Sequence, residues 1–169
     1  LCAGFVYSQV LLACVRLRLF DILAKGPQTV AALSVRLSLS QEATARLLWA
    51  AVSLRLAARR GNDRFGLGDL GAAMVGNPGI AAMVEHHTLL YGDLQDPVAL
   101  LRGDRPETEL SRYWAYARAD QPSALDAERV AAYSALMSAS QRLVADEVLD
   151  AYALEEVDEA DAFDHLAGA

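Results

Sequence analysis

Cysteine is scarce in this chain: only Cys2 and Cys14 occur among 169 residues. Both fall in one predicted helix, 12 positions apart, which at ~1.5 Å per residue is too far for a disulfide. Neither has a second Cys or a His at metal-ligand spacing, so both are expected to be small buried apolar residues. Lysine is scarcer still, Lys25 alone against fourteen arginines, which in an Ala- and Arg-rich chain is compositional bias and not a phosphate-binding signal. No apolar run approaches the ~20 residues a membrane span needs; the nearest, residues 10–15, stops at Arg16 and Arg18. The apolar start, residues 1–15, has no basic segment before it and no cleavage site after it, and reads as a core helix, not a signal peptide. The chain starts at Leu1, so something upstream is expected to have been removed or left out. Missing disulfides and a missing export signal together point to the cytoplasm.

Catalytic motifs are missing as well. There is no G-x-S-x-G, no Cys with a His partner, and no pair of carboxylates in an apolar setting. One apparent exception is Gly66-Leu-Gly-Asp-Leu-Gly71, which matches the G-x-G-x-x-G dinucleotide pattern. That pattern works when a buried apolar strand feeds it, whereas here it follows the polar Arg59-Arg-Gly-Asn-Asp-Arg-Phe65 and reads as a hairpin returning into a helix. His86 and His87 are adjacent, about 100° apart on a helix, and cannot share one metal face; a structural or ligand-contacting role suits one of them better. His165 is isolated in the tail. No catalytic, cofactor-binding or metal-binding residue can be named, and the chain by itself is expected to be inactive.

What is present is apolar and helical. Apolar residues make up 54% of the chain, enough for one domain with a real core. Apolar residues at helical spacing from Phe5 to Leu23 predict a first helix of about 20 residues ended by Gly26-Pro27. Thr29 caps a short helix, Val30 to Leu37, and Ser40 caps another from Gln41 to about Leu56. Gly61-Asn-Asp63 then joins two extended pieces into a small β-hairpin. Three helices followed by a hairpin is the order of a winged helix. Short helices are expected over residues 69–75, 80–91, 97–103 and 110–117, and a long helix after the Pro122-Ser123 cap. Along it Tyr133, Leu136, Met137, Ser140, Leu143, Val144 and Val148 form one apolar stripe. The fold class is therefore mainly α, a winged-helix-like domain with a small β-hairpin plus additional long helices.

Charge divides the chain unevenly. Residues 146–169 hold nine acids and no base, while the remainder holds 13 acids against 15 bases, a net of +2, so the overall −7 comes from the end. Residues 1–150 read as one unit and 151–169 as an acidic tail, disordered or at a boundary. Between Arg36 and Arg64 six arginines and two acids leave a local +4, which raises DNA binding as an alternative. Against it, the would-be recognition helix carries Ala43, Leu47, Leu48, Trp49, Ala51, Val52 and Leu54. That stripe is wide enough to be buried on most sides and leaves little polar face to read a groove.

The order of segments carries a resemblance. Phe20-Asp-Ile-Leu23, Thr29-Val-Ala-Ala-Leu33, Ala45-Arg-Leu-Leu-Trp49, the hairpin with Phe65-Gly-Leu-Gly68, and the long helix after Pro122 resemble the N-terminal dimerisation domain of SAM-dependent small-molecule O-methyltransferases. Leu90-Tyr-Gly-Asp-Leu-Gln-Asp-Pro-Val-Ala-Leu-Leu-Arg-Gly103 and Glu109-Leu-Ser-Arg-Tyr-Trp-Ala-Tyr116 are similar to the bacterial carotenoid branch, which includes the hydroxyneurosporene (demethylspheroidene) O-methyltransferases. The resemblance covers about residues 4–152. It implies a homodimer interlocked through helix 1 and the long helix 124–150, and a lid over a small apolar hydroxylated substrate. His87, Tyr91, Trp114, Tyr133 and Met137 are the candidate pocket walls. S-adenosylmethionine is implied for the full family enzyme, but the Gly-rich loop that would bind it has no counterpart after residue 150, so none is expected on this chain. No nucleic-acid partner and no membrane span are expected. The other alternative is a catalytically dead structural partner of a separate methyltransferase subunit.

Overall fold

The computed structural model describes residues 3–105, 107–114 and 127–151. It is mainly α with a small antiparallel sheet. The first apolar stretch makes two helices instead of one: α1, Gly4–Arg16, and α2, Leu19–Ala24. The break is at Arg18, whose backbone is left-handed with φ 52°. A non-glycine residue there costs ~1–2 kcal/mol. What offsets it is burial, because the bend turns Leu19, Phe20 and Leu23 into the core at 0%, 5% and 3% exposure. Periodicity alone does not register a one-residue bend.

The next elements follow their capping residues. Thr29 Oγ1 accepts from the Ala32 N–H at the start of α3, Val30–Leu37, and Ser40 Oγ accepts from the Ala43 N–H at the start of α4, Gln41–Ser53. Each oxygen satisfies a first-turn N–H that the helix itself leaves without a partner. α4 stops three residues short of Leu56, where Arg55 turns to φ 59° and the buried Leu56 leads into the sheet. The hairpin is present: strand Ala57–Arg60 pairs antiparallel with strand Arg64–Leu67 across a turn in which Asn62 and Asp63 have φ of 59° and 50°, a conformation these two side chains tolerate. A third strand was not expected. Gln28–Thr29 (β1) pairs with Arg64–Leu67 (β3), so with Ala57–Arg60 as β2 the order is β1-β3-β2. Two residues are too short a run to show alternation.

Gly68 and Gly71 lie where residues 66–71 pass against the end of α4. A Cβ on Gly68 would overlap the Arg55 carbonyl oxygen, and one on Gly71 the Leu56 carbonyl oxygen. The Gly68 N–H donates to Leu56 O at 3.1 Å. These glycines serve close backbone packing, as the hairpin reading of that motif expects.

α4 corrects one expectation. Thr44, Leu48 and Ala51 face inward, but Trp49 is 50% exposed, so the helix is not buried on most sides. Trp49 meets Phe65 edge to face, ring centroids 5.9 Å apart, with the Arg59 guanidinium 5.2 Å above it. Five of the six arginines between 36 and 64 are engaged within the fold: Arg46 by Glu42, Arg55 by Asp69, Arg59 by Asp63, Arg60 by Leu67 O and Arg64 by Pro27 O.

Beyond the short α5, Asp69–Ala72, four helices follow: α6, Pro78–Asp93; α7, Pro97–Arg102; α8, Glu109–Tyr113; and α9, Ala127–Ala151. α5 is shorter than the expected 69–75 and α6 longer than the expected 80–91. The Pro122-Ser123 cap and residues 115–117 of the expected 110–117 helix lie outside the described residues. At their crossing, a Cβ on Gly79 of α6 would overlap the Ala139 carbonyl oxygen of α9, so the backbones touch. α1 is tied to α6 by Arg16, whose Nη2 lies 2.8 Å from Glu85 Oε2 and whose Nε lies 3.1 Å from both carboxylate oxygens. On the α9 stripe Leu136 is buried at 5%, whereas Val148 is 49% exposed; its neighbour Leu149 is 55% exposed.

Candidate functional site

His86 and His87 leave α6 in different directions, as adjacent helical residues must. His86 turns toward α8 and α9. Its ring lies 4.7 Å from Tyr113 and 6.3 Å from Trp114, nearly parallel to the latter at 16°. Tyr133 of α9 closes the cluster, 6.3 Å from Tyr113 and 6.5 Å from Trp114, both near perpendicular. Edge and offset contacts of this kind are the favoured arrangements of aromatic quadrupoles. Beside the cluster is an open pocket of about 460 Å³ lined by Ala82, Glu85, His86, Thr88, Leu89, Tyr113, Ala135 and Leu136. Apart from a few polar groups its walls are apolar, the usual composition of a small-molecule site.

His86 Nδ1 is buried without a hydrogen-bond partner. Burial pushes the imidazole pKa below its usual 6.5, and the neighbouring His87 adds to the shift, because both disfavour the charged ring. The Tyr113 phenol is pushed up from 10, chiefly by burial and then by Tyr133.

The aromatic wall is positioned by a carboxylate at the other end of the helix. Asp93, 2% exposed at the end of α6, accepts the Glu109 N–H at 2.7 Å and the Leu110 N–H at 2.9 Å. It caps α8 across a loop, in the position a helix N-terminus favours for an anion. Thr108 and Ser111 add a reciprocal cap, which fixes the short helix that ends at Tyr113 and is followed by Trp114.

The expected pocket residues divide between two places. Trp114 and Tyr133 are together in the cluster. Met137, one turn along α9 from Tyr133, is partly buried but not among the residues lining this pocket. His87 and Tyr91 are on the opposite side of α6, at a cleft of about 210 Å³ with Ser8, Leu11 and Val84. His87 Nδ1 lies 2.7 Å from Met83 O, to which it donates. Tyr91 meets Phe5 edge to face at 5.6 Å and also lines a wider groove of about 920 Å³ between α1 and α6. The histidine in the cluster is thus His86 and not His87, and Tyr113 and Asp93 were not anticipated. One signal was available: His86 shares a helical face with Ala82 and Leu89, small and apolar neighbours four before and three after.

The cysteine reading stands for the described Cys14, which is fully buried, its thiol pushed up to about 12 by desolvation, an unreactive environment. Among the described residues no group of three or more His, Cys, Asp or Glu is placed to hold a metal, and no helix is long and apolar enough to cross a membrane.

Comparison with known proteins adds the following. Residues 1–77 match the family described as the O-methyltransferase dimerisation domain. The chain is 48% identical over 147 residues to a demethylspheroidene O-methyltransferase of Cereibacter sphaeroides, covering 87% of this chain and 38% of that protein. It is 46% identical over 150 residues to one of Rhodobacter capsulatus, covering 87% and 37%. The chain therefore spans less than two fifths of the length of these curated relatives. In fold it is similar to N,N-8-amino-8-demethyl-D-riboflavin dimethyltransferase of Streptomyces davawensis, with TM-score 0.60 and 24% identity over 88% of this chain and 45% of that one. It is similar also to mitomycin 7-O-methyltransferase, with TM-score 0.60 and 17% identity over 83% and 41%.

Proposed function

With residues 1–77 an O-methyltransferase dimerisation domain, we propose that this chain is the dimerisation and substrate-lid part of a SAM-dependent O-methyltransferase acting on a hydrophobic, hydroxylated small molecule of carotenoid type. Residues 1–150 act as one unit and 151–169 as an acidic tail. Two copies associate through α1 and α9, in the cytoplasm. The aromatic pocket between α6, α8 and α9 supplies part of the wall around the apolar substrate, while S-adenosylmethionine and the base that removes the hydroxyl proton are held by residues other than those named here. The carotenoid-type substrate rests on the relatives in the two bacteria.

The observation that carries the reading is the apolar surface left open on α1: Phe5, Val6 and Tyr7 are 60%, 55% and 53% exposed. Three consecutive apolar residues cover more than one helical face, and the described residues of one protomer leave all three open. A two-fold partner buries such a patch on both copies at once. Light scattering after size exclusion at micromolar concentration is expected to give twice the 18.2 kDa chain mass, and Phe5→Ser with Tyr7→Ser is expected to return the monomer with the same circular dichroism. A wild-type monomer at that concentration overturns the dimer.

A further inference from the structure

Among the described residues, buried polar side chains are otherwise satisfied. Thr44 Oγ1 donates to Ser40 O at 2.9 Å and Ser34 Oγ to Ala31 O at 2.9 Å, and Asp93 receives two backbone N–H groups. Among the described residues the exception is His86 Nδ1. Unpartnered buried polar atoms are few in folded proteins and call for a reason. This one belongs to a ring on the wall of the 460 Å³ pocket, whose other lining residues are the apolar Ala82, Leu89, Ala135 and Leu136 and the polar Glu85, Thr88 and Tyr113.

The state of the ring limits what can bind it. A partly desolvated imidazole beside a second histidine is neutral, so one nitrogen carries a proton and the other a bare lone pair. A buried N–H without an acceptor is rarer than an acceptor without a donor, which places the lone pair on Nδ1 and the proton on Nε2. The histidine χ2 torsion is broad and roughly two-fold. Because this ring lines the pocket, a turn about χ2 can bring Nδ1 within reach of a bound group without moving α6. Trp114, stacked on the ring and 41% exposed, is the neighbour with room to give way.

We propose that His86 Nδ1 accepts a hydrogen bond from the hydroxyl of an apolar alcohol held in this pocket, so that the pocket favours a free hydroxyl over its methyl ether. An ether oxygen has no proton to give and leaves the lone pair unmatched, as it is in the free protein, so the alcohol alone gains a hydrogen bond to a buried group. The inference rests on the substrate-lid reading and adds to it the atom that recognises the hydroxyl.

The test uses the full 169-residue chain with decanol and decyl methyl ether as probes, followed by tryptophan fluorescence. His86→Phe keeps a ring in the cluster and removes the nitrogen; it is expected to weaken decanol about tenfold, one lost hydrogen bond to a buried group, and the ether less than about twofold. His86→Asn, which restores an acceptor near Nδ1, is expected to recover part of the alcohol binding. Equal weakening of both probes, or none for decanol, overturns the proposal. Should His86→Phe lose its near-ultraviolet dichroism, the wild type decides through its imidazole ¹⁵N resonances. Saturating decanol is expected to shift His86 Nδ1 and the ether to leave it in place, and an unmoved resonance with decanol overturns the proposal. Failure of the wild type to bind either probe is a different result, because it removes the substrate-lid reading itself.

Discussion

The front of the molecule, up to the end of α5, and the back, from α6 to α9, are built on different terms. In the front, eleven buried residues form one connected core that includes Cys14, Leu19, Leu33, Leu48 and Phe65, and α3 and α4 each start on a side-chain cap. In the back, Leu136 is the one large apolar side chain below a tenth exposure among the described residues. The rest is held by a close helix crossing at Gly79, by the Asp93 carboxylate and by ring contacts around His86. A core made of packed aliphatic side chains tolerates no cavity. A region held by caps and rings can open locally at smaller cost, which suits a wall that admits a ligand. Arg16 and Glu85 join the two, but at side-chain exposures of 56% and 40% such a pair contributes little.

The contrast can be broken from the front with the largest effect. Leu48 has 0% exposure, and Leu48→Ala is expected to cost about 2–5 kcal/mol, seen as a lower urea midpoint with the whole chain affected. A loss under ~1 kcal/mol would mean the front core is not the main source of stability. In the back, Asp93→Ala removes the acceptor of two α8 amides and is expected to cost about 1–2 kcal/mol. Hydrogen exchange should quicken over residues 109–113 and leave the amides of α4 unchanged; parallel quickening in α4 would show that the two regions do not open separately.

The smallest effect is one of pH. His86 has a folded pKa below its unfolded value of about 6.5, so between the two the unfolded chain binds more protons. Stability is therefore complete above about pH 6.5 and falls as the pH drops from there toward the folded pKa. Melting followed by tryptophan emission is expected to show this loss in the wild type and less of it in His86→Phe. Equal pH dependence of the two would assign the loss to another group.

Much of this was legible in the residues. Thr29 and Ser40 mark helix starts because a short oxygen at that position has one geometric use. Gly61-Asn-Asp63 marks a turn because those residues tolerate positive φ. The adjacent histidines had to diverge because a helix advances 100° per residue. Other features were not legible. The first apolar stretch reads as one helix, since the bend at Arg18 is offset only by burying Leu19 and Phe20 among residues distant in the chain. Trp49 counts as apolar in any pattern, yet it faces outward beneath Arg59.

For the candidate site the division is sharper. Sequence by itself determined that α6 presents two imidazoles on two faces, that α9 carries an aromatic among its apolar residues, and that Tyr113 and Trp114 adjoin. Periodicity fixes the angle between side chains on one helix but not the direction of the helix in space. Which face meets α8 and α9 was decided by the crossing at Gly79 and by the reach of Asp93 to α8. Tertiary structure alone therefore chose His86 over His87 and left its Nδ1 without a partner.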